Sequence, residues 1–325
     1  MPFQKGILRY VSESKIITVF GATGAQGGGL VRAILDDPEG GFKARAVTRN
    51  PDSDKAKALA ALGAEVVAGD VDDPASVAKA LEGAYGAYFV TFFWDHFSPE
   101  KEAAQAKTFA EAAKAAGIQH AIWSTLEDTR KFVPLSDDRM PTLQGKYKVP
   151  HFDVKGESNQ LFVQAGVPTT FLLTSFYWDN FIHFGMGPQR GPDGKLALNL
   201  PMGDRRLPGI AAEDIGRCAY GIFKRPELIG QTVGIAGEHP TGTEMAREFS
   251  EALGEEVVYN AVPFDVYRSL GFPGADDLGN MFQFKHDFQD DFRAPRDVAE
   301  SALLNPRLQS FHQWLQAHAD SFATK

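Results

Sequence analysis

Residues 15–37, KIITVFGATGAQGGGLVRAILDD, decide the fold of this chain. "KIITVFG" (15–21) is apolar on both faces, as a strand buried on both sides of a sheet must be. The glycine run "GATGAQGGG" follows at once, and "GGLVRAILDD" carries the apolar spacing of a helix. Strand, glycine turn and helix in direct succession separate a nucleotide-binding turn from a chance glycine-rich string. Gly21 permits the tight turn, Gly24 lets the backbone approach a pyrophosphate, and Gly27 allows the helix to pack closely on the strand. The helix N-terminus then offers unpaired N–H groups and the positive end of its dipole to phosphates. Glycines 27–29 cost up to about 1 kcal/mol each against alanine inside a helix, which a purely structural turn seldom needs.

The same alternation continues. "FKARAVTRN" (42–50), "AEVVAGD" (64–70), "GAYFVTFFW" (86–94) and "HAIWSTLE" (120–127) read as strands, separated by the helical patterns "DKAKALAAL", "PASVAKALEG" and "EKEAAQAKTFAEAAKAAG". This predicts an α/β fold, a doubly wound parallel sheet of the Rossmann type. Beyond residue 128 a polar loop (128–148) leads to a helix near "HFDVKGESNQLFVQAG", and "PTTFLLTSFYW" (168–178) supplies a sixth strand. From about 181, Gly, Pro and Asp are dense, so a smaller, irregular α+β C-terminal lobe is expected. "AAEDIGRCAYGIFKRPE" reads as a helix that returns to the sheet, and the tail from 240 as two or three helices. The expected organisation is an N-terminal extension (1–14), a dinucleotide domain (15–180, with a return near 210–227) and a lobe (181–325).

A formal net charge of −9 on 325 residues argues against direct binding of nucleic acid or an anionic membrane, both of which need a basic field. The single cysteine, Cys218, excludes an intramolecular disulfide and reads as a small buried residue on an amphipathic helix. No apolar run approaches the roughly 18–20 residues of a membrane span. "MPFQKGILRYVSES" lacks the apolar stretch and cleavage site of a signal peptide, so the cytoplasm is the expected compartment. The eight histidines are dispersed, and His312 and His318 in "HQWLQAH" fit no metal-ligand pattern, so no metal is expected.

The end of the second strand selects the cofactor. An acid there binds a ribose 2′-hydroxyl and repels a 2′-phosphate. This chain has Thr48, Arg49 and Asn50, with Lys55 following and no acid competing, which points to NADP(H). Asp70 is placed either to meet the adenine edge or to cap the next helix, a role for which Asp72 and Asp73 compete. "TFFWDHF" and "SFYWDN" both emerge at carboxyl ends of strands, where ligands bind. Phe92, Phe93, Trp94, Tyr177 and Trp178 are therefore candidates to line a flat apolar pocket.

Together, "GATGAQGG", "VTRNP", "GAEVVAGDVDD", "HFDVKGE" and "LGFPGADDLGNMFQF" resemble the NmrA-like proteins, atypical relatives of the short-chain dehydrogenases/reductases, over about residues 15–320. The resemblance implies an NADP(H)-binding Rossmann domain and a smaller C-terminal lobe. Some members of the family sense redox state and bind regulatory proteins, while its relatives include reductases. By resemblance, Gly21, Thr23, Gly24, Gln26 and Gly27 hold the pyrophosphate, Arg49 and Lys55 the 2′-phosphate, and Lys155 the nicotinamide ribose. Ser124 takes the place of the reductase serine, with Thr125 as its alternative.

Many such reductases carry a tyrosine four residues before the lysine. Here it is His151, one helical turn from Lys155 and on the same face. A neighbouring ammonium disfavours a charged imidazole, so His151 is expected to be a poor acid and an adequate base. Lys155, with His151 and Ser124, remains a candidate proton-handling set, and packing at the helix start is the competing role for His151. Two functions follow: an NADP(H)-responsive regulator with a protein partner or self-association as a homodimer, or an NADPH-dependent reductase of a flat apolar carbonyl, quinone or enone. A scaffold with a vestigial site is the third.

Overall fold

The computed structural model describes residues 14–322, so the N-terminal extension expected over 1–14 lies outside the described residues apart from Ser14. Strands and helices alternate as β1 (Lys15–Val19), α1 (Ala25–Leu35), β2 (Phe42–Thr48), α2 (Asp54–Ala61), β3 (Glu65–Ala68), α3 (Pro74–Leu81), β4 (Gly86–Phe89), α4 (Pro99–Ala115), β5 (His120–Thr125), α5 (Pro150–Ala165) and β6 (Thr169–Leu173). Each strand pairs in parallel with its neighbours, in the order β3-β2-β1-β4-β5-β6. The order reverses at β1, which places the crevice of a doubly wound sheet beyond the carboxyl ends of β1 and β4.

The strands are shorter than the apolar runs suggest. β4 ends at Phe89 rather than Trp94, and "FFW" enters a loop with a single turn of 3₁₀ helix at Phe93–Asp95. "PTTFLLTSFYW" is broken at Thr174, whose carbonyl accepts two hydrogen bonds from Arg296 instead of joining the ladder. The chain then enters β7 (Phe176–Tyr177), α6 (Asn180–His183), β8 (Gln189–Arg190), β9 (Leu196–Leu200), β10 (Gly209–Ile210), α7 (Ala212–Phe223) and β11 (Thr232–Gly234). β7 pairs with β10 in a separate two-stranded sheet.

The return to the sheet extends past residue 227, because β11 pairs in parallel with β6 as a seventh strand. α7 lies against α1 with backbones nearly touching. A Cβ on Gly216 would stand 2.1 Å from Leu30 N, and one on Gly29 2.4 Å from Glu213 O. The last glycine of the 27–29 run, Gly29, thus serves this helix crossing. Cys218 is buried on the same helix, and burial raises its thiol pKa, in keeping with a packing residue.

The tail holds more helix than its sequence pattern suggests. α8 (Gly242–Leu253), β12 (Val257–Ala261), α9 (Phe264–Arg268), α10 (Ala275–Asp287), α11 (Gln289–Arg293), α12 (Val298–Leu304) and α13 (Phe311–His318) follow. α9 and α11 span 5 residues each and α12 spans 7, too few turns to show a period. α8 and α13 open with capping boxes, Thr241/Glu244 and Ser310/Gln313. Two apolar cores flank the large sheet, one built mainly of aliphatic residues and the other around the rings of Phe20, Phe89, Phe109, Trp123 and Phe162, and a third fills the lobe with rings such as Phe181, Phe249, Phe311 and Trp314. Among the described residues no helix is long and apolar enough to cross a membrane.

Candidate active site

The loop between β1 and α1 has the form of a phosphate cradle. Gly21 adopts φ +66°, open to glycine, and a Cβ there would stand 2.9 Å from Val90. A Cβ on Gly27 would stand 2.4 Å from Gly21 O, so only glycine lets the helix start this close to the turn. Gly24 is the N-cap of α1 with no side-chain cap, and the first turn contains no acid. Gly21, Gly24 and Ala25 are exposed and Thr23 is half-buried, so the start of α1 is open to solvent. These residues fit a dinucleotide pyrophosphate.

Gln26 sits differently from its expected place. Its Nε2 donates to Tyr177 Oη (2.5 Å), while its Oε1 accepts from Ser124 Oγ (2.9 Å) and from Tyr88 Oη. The side chain therefore points into a network beneath the loop and leaves phosphate contact to the backbone. Tyr88 was not legible as a site residue, since it reads as one more apolar letter in β4. Burial holds the Tyr88 phenol well above its ordinary value and pushes Tyr177 up to about 12. Both phenols thus stay protonated near neutral pH.

Beyond β2, Arg49 and Lys55 are exposed, with 73% of the Arg49 side chain open to solvent. The reading that no acid competes there needs a correction. Asp95, from the loop after β4, stands 3.4 Å from Arg49 Nη1. Asp70 accepts from Asp72 N in a local turn, and Asp73 caps α3 through Ala75 N. Of the three aspartates, Asp73 is thus the cap, and Asp70 keeps one carboxylate oxygen outside that turn.

Lys155 and His151, one helical turn apart on α5, each meet a carboxylate of their own. Lys155 Nζ lies 2.7 Å from Glu102 Oε1 and donates to Thr91 Oγ1 (2.6 Å) and Thr91 O (3.1 Å). Glu102 is fully buried on α4 and also accepts from Thr91 Oγ1 at 2.6 Å. His151 Nδ1 lies 2.7 Å from Asp277 Oδ1, and its backbone N–H donates to Asp277 Oδ2 at 3.2 Å. Asp277, on α10, thereby caps the start of α5 from the lobe. At the helix start the His151 ring packs against Trp94 (4.7 Å between ring centroids), Phe93 and Phe152. Thr125, the alternative to Ser124, is occupied elsewhere, its single hydroxyl proton lying between two acceptors, Asn159 Oδ1 at 2.8 Å and Lys155 O at 3.0 Å.

The aromatic candidates divide. Phe93 is buried, Trp94 is half-buried and Phe92 is 53% exposed, all in the loop after β4. Trp178 is the correction: it is fully buried in the lobe core against Phe311 and Trp314, with no room to line a pocket. Tyr177, one residue earlier, faces the opposite way, onto Gln26. The period-2 alternation of an extended strand separates the two.

A model of the NmrA-like family matches residues 13–315. An NmrA-like family domain-containing oxidoreductase, FrzB, of Cladobotryum sp. is 30% identical over 294 residues, covering 83% of each chain. An NmrA-like family domain-containing protein of Dictyostelium discoideum is 30% identical over 267 residues, covering 77% of this chain and 81% of its own. Among solved structures, the negative transcriptional regulator NmrA in complex with NADP superposes with a TM-score of 0.74 at 24% identity, covering 94% of this chain and 95% of its own. Citrobacter sp. triphenylmethane reductase complexed with NADP(H) gives 0.72 at 21%, covering 94% and 100%. With its parallel sheet, its glycine cradle and a family match that runs nearly end to end, the chain belongs to the NmrA-like family.

Proposed function

We propose that this protein binds NADP(H) and serves as a redox-state sensor, its occupancy by NADPH or NADP⁺ altering how the smaller lobe meets a protein partner or a second copy of the chain. The observation that carries the reading is the open cradle of Gly21, Gly24 and Gly27 with the solvent-facing guanidinium of Arg49 beyond β2. NADP-bound NmrA and NADP(H)-bound triphenylmethane reductase support the cofactor. The backbone N–H groups of the cradle would hold the pyrophosphate, and Arg49 with Lys55 the 2′-phosphate. Asp70 would meet the adenine edge with its outer oxygen. Lys155 would hold the nicotinamide ribose, and Phe93, Trp94 and Tyr177 would border the ring. Sensing is favoured over turnover because the groups that could handle protons, Lys155, His151 and Ser124, are each committed to a partner within the protein.

A second reading rests on the curated relatives, several of which carry the name oxidoreductase. In it, bound NADPH supplies a hydride to a flat apolar carbonyl, quinone or enone, and Lys155 or His151 exchanges the proton. Fluorescence titration with NADPH and NADH tests the cofactor. NADPH is expected to bind more tightly, and Arg49→Ala to remove about tenfold or more of that preference, the worth of one charged hydrogen bond. Equal binding of both cofactors by the unaltered protein sinks the NADP(H) assignment. Oligomeric state and protease sensitivity with and without NADPH test the sensor, which fails if neither responds. Substrate-dependent NADPH oxidation across a quinone and carbonyl panel, lost in Lys155→Ala, would establish the reductase instead.

A further inference from the structure

Three N–H donors belong to an ammonium, and three oxygens within 3.1 Å of Lys155 Nζ take them up: Thr91 O, Thr91 Oγ1 and Glu102 Oε1. None is left for a ribose hydroxyl. The lysine that would hold the nicotinamide ribose is therefore closed on itself, and the group that closes it is a carboxylate with no exposure to solvent. A carboxylate and a threonine hydroxyl that bridge one another and the same ammonium form a tight, dry cluster.

Glu102 also has a second neighbour. Its Oε2 lies 3.3 Å from His96 Nε2, and both atoms are buried without a hydrogen bond. His96 Nδ1 accepts from Ser98 N, so the ring proton sits on Nε2 and faces Glu102. The carboxylate thus has somewhere to go when it gives up the lysine. Thr91 and His96 stand on the connection from β4 to α4, whose Val90 is the residue a Cβ on Gly21 would strike at 2.9 Å. The same connection holds Phe97 at φ +53°, a strained value for a non-glycine residue. Earlier in the same connection, Trp94 packs on His151 and lies where a Cβ on Gly274, at the start of α10, would meet it at 2.7 Å.

We infer that Glu102 is a positioning residue that competes with the nicotinamide ribose for Lys155, and that NADP(H) binding draws an Nζ donor away from it, with Glu102 turning towards His96. The inference rests on the proposed NADP(H) site and adds to it the group that sets the occupancy threshold. Glu102 opposes binding, so neutralising it strengthens binding as long as Lys155 is present.

The test is a double-mutant cycle on NADPH affinity, read by fluorescence titration in the unaltered protein, Glu102→Gln, Lys155→Met and the pair. Glu102→Gln is expected to tighten binding by about fivefold or more, the lower end of an ordinary coupling between two sites. In the Lys155→Met background the same change should have no effect. A merely structural Glu102 gives equal or weaker binding in a folded Glu102→Gln protein, or the same shift with and without Lys155, and either result overturns the inference. Should Glu102→Gln fail to fold, Thr91→Val removes the hydroxyl shared by both charges and should shift affinity in the same direction, and no shift there has the same force. If the unaltered protein does not bind NADPH at all, the cofactor reading falls first and takes this inference with it. If it binds while the cycle shows no coupling, the inference alone falls.

Discussion

Two buried lysines, in different halves of the molecule, meet opposite surroundings. Lys155, on α5, has three oxygens and a buried carboxylate. Lys285, on α10, lies among the rings of Phe152, Phe176, Phe282 and Phe292, 5.2–5.8 Å from their centroids, and touches Met281 Sδ at 3.4 Å. Among the described residues no carboxylate comes within ion-pair distance of it. Burial, helped by the nearby Arg296 guanidinium, drives Lys285 down to about 7, against the weaker pull of Glu127. The comparison shows two ways to bury an amine. One keeps the charge and holds it with an anion, and the other sheds it near neutral pH while aromatic faces offer partial compensation. Removing a partner should therefore harm the first site, and removing the lysine should leave the second unharmed or improved.

The largest expected effect breaks the first arrangement. Glu102→Ala leaves the Lys155 ammonium buried without its anion and should cost about 3–5 kcal/mol in urea unfolding, the usual penalty for an orphaned buried charge. Replacing both partners, as in Glu102→Leu with Lys155→Met, should recover most of that loss, since apolar replacements of a buried pair are often neutral. A loss for the double variant as large as for Glu102→Ala would mean that packing, not charge, sets the cost.

The second arrangement predicts a pH dependence. The pKa of Lys285 is lower in the folded protein than its ordinary value of 10.5 in the unfolded chain, so the unfolded chain binds more protons between about pH 7 and 10.5. The penalty is complete below about pH 7 and fades as the pH rises through that window. Lys285→Met should abolish this contribution. The stability of the unaltered protein should then rise relative to the variant by about 1.4 kcal/mol per pH unit inside the window. Parallel curves from pH 6.5 to 9.5 would show that Lys285 keeps its charge and belongs with Lys155. A smaller effect comes from the crossing of α1 and α7. Gly216→Ala forces a methyl into the backbone of α1 and should cost about 1–3 kcal/mol by overpacking.

How much of this could be read from the sequence follows from the range of the interactions. The sheet was legible because strands buried on both faces write continuous apolar runs, and the cradle because its glycines are neighbours in the chain. Arg49 was legible from its place after β2. The partners of Lys155 and His151 were not, because Glu102 lies on another helix and Asp277 is 126 positions from His151. A buried Glu102 on α4 is indistinguishable in sequence from its exposed neighbour Glu100. The ends of β4 and β6 were overrun because apolar residues continue into the loop and the lobe, where they bury against other elements. Trp178 was misplaced for that reason.

The smallest effect comes from a charge pair at the site that stays in water. Arg49 and Asp95 are 73% and 53% exposed at 3.4 Å, so solvent screens them and their ordering entropy offsets the attraction. Asp95→Asn should change urea stability by less than about 0.5 kcal/mol. Its consequence should instead appear in binding, where losing a carboxylate beside Arg49 removes repulsion from a 2′-phosphate and favours NADPH over NADH more than in the unaltered protein. The shift should shrink at high salt, unlike that of the buried Glu102, because screening acts on exposed charges over roughly 10 Å at 0.1 M. If Asp95→Asn destabilises the fold by more than about 1 kcal/mol, the pair is holding the β4–α4 connection in place. The contrast between a dry anion that fixes Lys155 and a wet one that merely attends Arg49 would then be lost.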